Sequence, residues 1–397
     1  MKAPSRHGWQ YEEGAMRKEQ ILLLGLIIPL MSACSSGAPQ SPAMPEKQSG
    51  IKLGSFIGLS GDIVAYGDYQ QKGISLAVKE INDNNYLGKT SKIDMVIVDT
   101  GATPDGAKAS ATKLISSEQV VGLIGPTLSS QAFASDPVAQ QNKVPIIAVS
   151  NTVPGITEMG NYVFRCSLPE STVIAGTIKV AASQLAVKKV ALLWGKDDDY
   201  TIAGYKAFAD AVDKNGLQVV AYETFLRGDT DFKAQLGRIV ALNPDAILVS
   251  ALAKEAAPII VQARKLGFSG LIIGGNGFNS TDVIKQAGAD AEGVMAGTAW
   301  NINSTNPRSL EFISSFQKAY GIKPDQFAAQ AYTGAWLFAY AIRSVGAPTT
   351  QAIRDSLAAI SNFTTPLGSF SFTADREPVH SCVVQIVRNG KFVLYNP

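Results

Sequence analysis

From residue 51 onward the chain repeats one unit: a short aliphatic run, a small polar loop, then a stretch long enough for several helical turns. IKLGSFIGL (51–59) precedes a predicted helix over 68–82, and KIDMVIVDT (92–100) precedes 105–117. VVGLIGP (120–126) precedes 130–142, and VPIIAVS (144–150) follows. The aliphatic runs are nearly continuous, as strands covered on both faces require. Such alternation implies a parallel sheet with helices on both sides. After YVFRCS (162–167) the pattern restarts with a predicted helix over 172–185, then KKVALLWG, helix 202–214, LQVVAYETF, helix 232–242, AILVSA, helix 256–265 and LIIGG. Two α/β units of similar size follow from this. Helices over 310–320, 327–345 and 350–360 come next, then strands over 368–373 and 381–395. The last strand folds back at Asn389-Gly390, a two-residue hairpin signal.

In doubly wound sheets, ligands sit outside the carboxyl ends of the strands. Those ends here carry GLSGDIVAYG, GPTLSS, VSNT, WGKDDDY, VSALAKE and GGNGFN. Two such faces opposed across a hinge would place hydroxyls on one wall of a cleft and a mixed acidic and aromatic surface on the other. The stretch LIGPTLSS (123–130) carries two meanings. Ser and Thr after a strand are ordinary helix caps. The same hydroxyls beside free N–H groups at a helix N-terminus form a site for an anion such as a carboxylate. Asp197, Asp198 and Asp199 read first as a solvated, helix-capping run.

The 397 residues are 46% hydrophobic and 17% charged, enough apolar material for two cores. Thirty-five basic and 33 acidic residues are dispersed to a formal charge of +2, with no basic block, so no nucleic-acid partner is expected. Histidine occurs only as His7 and His380. There is no G-x-S-x-G elbow, and His380 reads as a strand-edge residue. H-E-x-x-H, C-x-x-C, a P-loop and a complete G-x-G-x-x-G are missing too. No metal or cofactor is expected, and an enzyme acting on a small acid is disfavoured. A solute binder needs none of this equipment.

The run ILLLGLIIPL (21–30) is too short for the roughly 20 residues that span a bilayer. It has the length of a secretory signal's apolar core and ends in Met31-Ser32-Ala33-Cys34. That ending resembles the lipobox of bacterial lipoproteins, in which the cysteine is acylated and becomes the N-terminus. Met16, followed by Arg-Lys, makes a better start than Met1. Residues 1–33 are therefore expected to be a signal peptide, Cys34 the lipidated N-terminus, and the Ser/Pro/Gly-rich 34–50 a flexible tether. The protein would then be extracytoplasmic and membrane-anchored. Cys166 and Cys382 remain, and whether they pair is open.

The ordered set LSGDIVAYGDYQQKGISLAVKEIN, VVGLIGPTLSSQAFASDPVAQQNKVPIIAVSNT, YVFR, KKVALLWGKDDDYTIAGYKAF, PDAILVSALAKEAAPIIVQARKLG and FAAQAYTGAWLFAYA resembles a known family. These are the type I periplasmic solute-binding proteins of the branched-chain amino acid group, which deliver solutes to ABC importers. The resemblance runs over almost all of 51–397. It implies two parallel-sheet α/β lobes joined by three crossings, near Leu168, Ala299 and Phe370. Lobe one would hold 51–168 plus 299–370, and lobe two 169–298 plus 371–397. Ser129, Ser150 and Thr152 would hold the solute's carboxylate, Tyr66 would line the side-chain pocket, and Tyr200 would close from lobe two. Asn276 departs from the pattern, standing where amino-acid binders often carry an acid for the ammonium group, and Leu252 stands where tyrosine is frequent. The implied ligand is an amino acid neutralised by one of Asp197–Asp199, an aromatic or keto acid without an amine, or an amide. The implied partners are a small solute and the importer's membrane subunits; a sensory module signalling from the closed state is the alternative.

Overall fold

The computed structural model describes residues 49–395. The expected signal peptide, the Met16 start, Cys34 and the tether up to residue 48 lie outside the described residues. Ser49 and Gly50, assigned above to the tether, already belong to the first strand.

The first lobe opens with β1 (Ser49–Ile57), α1 (Val64–Asp83), β2 (Ser91–Asp99), α2 (Pro104–Ser116), β3 (Leu123–Ile124), α3 (Ser129–Gln141), β4 (Ile146–Ala148) and β5 (Val163–Arg165). Its five strands are parallel in the order β2-β1-β3-β4-β5. Both faces are covered, and β1 shows why its sequence reads as continuously apolar. Leu53 joins the core beneath α1, while Phe56 joins the opposite one, beneath α2 and α3. Strands β3 and β4 are shorter than the predicted 120–126 and 144–150 because the polar loops that follow them begin earlier. Helix α1 starts four residues before the predicted 68, so that Tyr66 is helical.

The second lobe comprises α4 (Glu170–Gln184), β6 (Lys189–Gly195), α5 (Asp199–Lys214), β7 (Gln218–Phe225), α6 (Lys233–Val240), β8 (Ala246–Ser250), α7 (Ala253–Lys265), β9 (Leu271–Gly274), α8 (Thr281–Ala287) and β10 (Met295–Thr298). The sequence pattern marked neither α8 nor β10. The chain then returns to the first lobe as α9 (Pro307–Tyr320), α10 (Gln326–Ser344) and α11 (Thr350–Ala358), followed by β11 (Phe363–Thr365), β12 (Gly368–Phe372) and β13 (Pro378–Val379). It ends in the second lobe with β14 (Val383–Arg388) and β15 (Lys391–Leu394). The seven-stranded sheet runs β15-β14-β10-β9-β8-β6-β7, with β14 and β15 antiparallel at one edge. Asn389 and Gly390, both at positive φ, make the hairpin turn. Helix α10 is buried on nearly all sides, only Tyr340, Arg343 and Ser344 escaping, which explains its lack of a polar face.

Leu168, Ala299 and the partly buried Cys382 pack together with Val173, bringing three interlobe connections side by side. The third crossing is not at Phe370. That residue lies inside β12, fully buried in the first-lobe core. β13 then pairs with β12, and Glu377 forms a salt bridge with buried Arg165, holding the chain in the first lobe until residue 380. Cys166 and Cys382 are both free thiols. Burial pushes the Cys382 thiol up to about 11. His380 stacks on Phe370 and turns one ring nitrogen to the Cys166 carbonyl, which makes it part of the crossing. Among the described residues, no helix is long and apolar enough to cross a membrane.

Candidate functional site

On the first-lobe wall, Gly125 turns the chain after β3 at φ +132, where a Cβ would lie 2.2 Å from the Phe56 carbonyl oxygen. Only glycine fits so close to β1. The turn delivers Thr127 and Ser129 to the cleft. Thr127 accepts from the Gly58 N–H (2.9 Å) and donates to Gln70 Oε1 (2.7 Å). Ser150 accepts from Gln70 Nε2 (2.8 Å) and donates to the Thr127 carbonyl (2.6 Å). The Ser150 proton is therefore committed to the scaffold, contrary to the expectation that this hydroxyl donates to a solute. Ser129 differs: its Oγ accepts from the Thr152 N–H at 3.2 Å, and its own proton has no partner among the described residues. The Thr152 hydroxyl is buried beside the Glu170 carboxyl of the second lobe, without a hydrogen bond of good geometry. Ser129 opens α3; Gln131 Oε1 accepts from the N-cap Leu128 N–H (3.1 Å), and the N–H groups of the first turn that follow lack intrahelical acceptors.

On the second-lobe wall, Glu170 opens α4 and is 1% exposed. Its Oε1 accepts from the Asn276 N–H (2.8 Å) and from the Tyr200 hydroxyl (3.3 Å). Tyr200 in turn accepts from the Gly277 N–H at 2.7 Å. Burial pushes the Glu170 carboxyl up to about 7, partly countered by the Asn276 N–H and the hydroxyls of Thr152 and Tyr200. Burial also holds Tyr66 and Tyr200 well above the usual phenol range, so both stay neutral. The orientation of the Asn276 amide follows from a backbone group. The Ala299 N–H fixes Gln326 Oε1 as an acceptor (2.7 Å), so Gln326 Nε2 donates to Asn276 Oδ1 (2.6 Å). Asn276 is left with a free N–H₂, a donor on the cavity wall.

The walls meet at Tyr66. Its hydroxyl accepts from the Ala253 N–H (2.5 Å) and donates to the Gly277 carbonyl (3.0 Å), both in the second lobe. At Gly277 a Cβ would lie 2.3 Å from the Ala251 carbonyl oxygen and 3.1 Å from the Tyr66 hydroxyl, so the approach requires glycine. Arg227 reaches across to Asp62 through two bonds of 3.1 and 3.0 Å. Between the walls lies a cavity of about 20 Å³ lined by Tyr66, Ser129, Ser150, Tyr200, Leu252 and Asn276, with Thr127 and Phe327. Five of the six expected ligand residues thus surround one space, with Thr152 directly behind Ser129. A space of that size suits about one water, so a solute as large as an amino acid enters only when the lobes part.

The acidic run lies elsewhere. Asp198 accepts from the Tyr200 and Thr201 N–H groups and caps α5, Asp197 accepts from the Arg227 N–H, and Asp199 is exposed. None of the three lines the cavity. A larger cavity of about 300 Å³ flanks the lobes near Trp300, Lys323 and Phe392. Its amides, Asn279, Asn301, Gln326 and Gln385, bond one another and offer a solute little.

Two residues were not singled out from sequence. Gln70 stands four residues from both Tyr66 and Ile74, a polar interruption of α1's buried stripe, which is a readable signal. Glu170 carried none, because an acid in the first turn of a helix is ordinary.

A family model described as "Periplasmic binding protein" matches residues 50–391. The leucine-, isoleucine-, valine-, threonine- and alanine-binding protein of Pseudomonas aeruginosa is 24% identical over 81% of this chain and 85% of its own length. Among solved structures, a branched-chain amino acid transporter substrate-binding protein of Streptococcus pneumoniae, in complex with isoleucine, is 31% identical with a TM-score of 0.82, covering 88% of this chain and 100% of that one. A solute-binding protein of an ABC transporter from R. palustris, in complex with benzoate, is 25% identical with a TM-score of 0.78, covering 87% and 95%. The two-lobed α/β fold is thus shared with proteins that bind solutes, and the chain belongs to the periplasmic binding protein family.

Proposed function

We propose that this protein is the extracytoplasmic solute-binding component of an ABC importer and that it captures a small carboxylate-bearing solute by lobe closure. The observation that carries this reading is the first-lobe wall. There the free hydroxyl proton of Ser129 stands at the N-terminus of α3 and faces a cavity that the second lobe seals, with Thr152 directly behind it. Such an N-terminus attracts anions through unpaired N–H groups and the helix dipole. The related proteins bound to isoleucine and to benzoate both hold carboxylates. Closure follows from differential affinity: contacts from both lobes are complete only when they meet, so a solute shifts the population toward the closed form. The importer's membrane subunits would read that form, and a lipidated Cys34 would keep the protein at the membrane.

A thermal-shift screen of the purified protein against amino acids, 2-oxo acids, benzoates and small amides tests the reading, since a ligand of the native state raises its stability. Stabilisation by carboxylates is expected, and stabilisation by uncharged amides alone would overturn it. The intact mass of membrane-extracted protein tests the anchor, which a chain retaining residues 1–33 would refute.

A further inference from the structure

Glu170 stands outside the solute cavity, at the seam between the lobes. It opens α4 just past the first crossing, and its N–H donates to the Thr152 carbonyl of the first lobe (3.0 Å). Its Oε1 is held within the second lobe by the Asn276 N–H and the Tyr200 hydroxyl. The first lobe covers the rest of the carboxyl. The Thr152 hydroxyl lies beside it, and Phe133, Val153 and Pro154 line a groove with it, together with Asp199, Lys206 and Asp210 of α5. Oε2 is buried and hydrogen-bonds to no residue, and the Thr152 hydroxyl is equally without a bond of good geometry. An ionised carboxylate calls for donors or a cation at both oxygens, so an orphaned Oε2 is costly when charged. The neutral acid escapes that cost, because its O–H can donate to the Thr152 hydroxyl oxygen.

A solute enters the cavity only when the lobes part, and parting carries Thr152, Phe133, Val153 and Pro154 away from α4 and α5. Water then solvates the carboxyl, and the ionised form regains its ordinary advantage. We propose that closing the lobes takes up one solvent proton on Glu170, so that solute and proton are captured together and acidity favours the closed form. This rests on the closure reading above and holds whichever solute closes the lobes. The proton returns to solvent when the lobes reopen. Burial pushes the carboxyl up to about 7 in the closed molecule, from an ordinary 4.5, so the exchange falls between those two values. The titratable groups facing it are the Tyr200 phenol, kept neutral by burial, and Asp199, Lys206 and Asp210 of α5. The first-lobe wall of the groove and the Asn276 turn bring none.

Hydrogen exchange of the ligand-free protein reads closure without any solute. The Ala253 N–H donates to the Tyr66 hydroxyl across the seam, so it exchanges when the lobes part. Corrected for the intrinsic pH dependence of exchange, its protection is expected to be about tenfold higher at pH 5.5 than at pH 7.5. Glu170→Gln keeps an acceptor for the Asn276 N–H and is neutral at every pH. Its protection should be equal at both and should exceed the wild-type value at pH 7.5. Titration calorimetry near pH 6 with L-leucine, 4-methyl-2-oxopentanoate and benzoate, in two buffers of different ionisation enthalpy, gives a second readout. Whichever of them binds should take up a fraction of a proton in the wild type and none in E170Q. Equal wild-type protection at the two pH values, a wild-type pH dependence in E170Q, or proton release on binding would each overturn the coupling. Each would leave the carboxylate reading standing. Failure of all three carboxylates to bind would count against that reading, and the exchange measurement would still decide the coupling.

Discussion

On the first-lobe wall, Ser150, Thr127 and Gln70 hydrogen-bond one another into a fixed frame, beside which the Ser129 hydroxyl keeps its proton free. On the second-lobe wall the polar groups converge on one buried carboxyl, Glu170, through Tyr200 and the Asn276 backbone. The first arrangement is neutral and donor-rich and is complete within its own lobe. The second contains an ionisable group whose charge is costly while the lobes are closed. A wall of the first kind suits a carboxylate of any solute, whereas a wall of the second kind couples the charge of Glu170 to what the cleft holds.

Changes on the two walls should therefore differ in kind. Ser129→Ala removes one charge-assisted hydrogen bond, on the order of 1.5 to 3 kcal/mol. The expected loss is about ten- to a hundredfold, and it should fall equally on an amino acid and its oxo acid in titration calorimetry. Ser150→Ala, whose proton is committed to the Thr127 carbonyl, should instead lower the melting temperature and change affinity little. A loss at Ser129 confined to amino acids would contradict a general anion grip.

The second wall should respond to pH. Burial holds the Glu170 carboxyl at about 7, above its ordinary value of 4.5, so its neutral form is favoured in the folded protein. The stability it contributes to the ligand-free chain is full below about pH 4.5 and is lost as pH rises through about 7, a change on the order of 3 kcal/mol. Relative to E170Q, the wild-type melting temperature should therefore fall across that window. Closure takes up the proton, so affinity for a solute should fall by up to about tenfold per unit as pH climbs toward 7, then level off. An amino acid and its oxo acid should share this fall. Tyr200 faces Glu170 as a neutral phenol, and Asp199 and Lys206 of α5 share a groove with it, so the profile should survive their screening by salt. A flat profile for a solute that does bind would show that closure and the Glu170 proton are not coupled.

How much of this was legible in the sequence follows from the same contrast. Strands covered on both faces and small polar loops at their ends leave a local signature, which is why the α/β alternation and the residues of one cleft could be read from 51 onward. Hydroxyls after a strand are by themselves ordinary helix caps, and Ser129 and Thr152 were visible only through the resemblance of GPTLSS and VSNT to a known family. The commitment of the Ser150 proton was hidden, since its acceptor is the Thr127 carbonyl, 23 residues away. The third crossing was misplaced at Phe370 because β13 is only two residues long and its pairing with β12 has no periodicity to detect. Glu170 was overlooked because burial, rather than its place at the start of α4, makes it unusual, and burial depends on Thr152, Tyr200 and Asn276 arriving from separate segments.

The smallest effect belongs to the contact between the walls. Asp62 on the first lobe and Arg227 on the second form a bidentate pair at the cleft rim, with side chains 18% and 22% exposed. Asp198 lies 3.8 Å from the same guanidinium within the second lobe, so Arg227 keeps a partner when the lobes part and gains Asp62 only on closure. Partly solvated pairs of this kind contribute about 1 kcal/mol or less. Asp62→Asn should therefore weaken every ligand by no more than about fivefold, and the gap between wild type and variant should narrow as salt is raised. Because neither residue lines the cavity, the loss should be the same for an amino acid and its oxo acid. A D62N variant that discriminated between them would place the rim contact inside the recognition chemistry, and grip and closure would no longer be separable functions of separate residues.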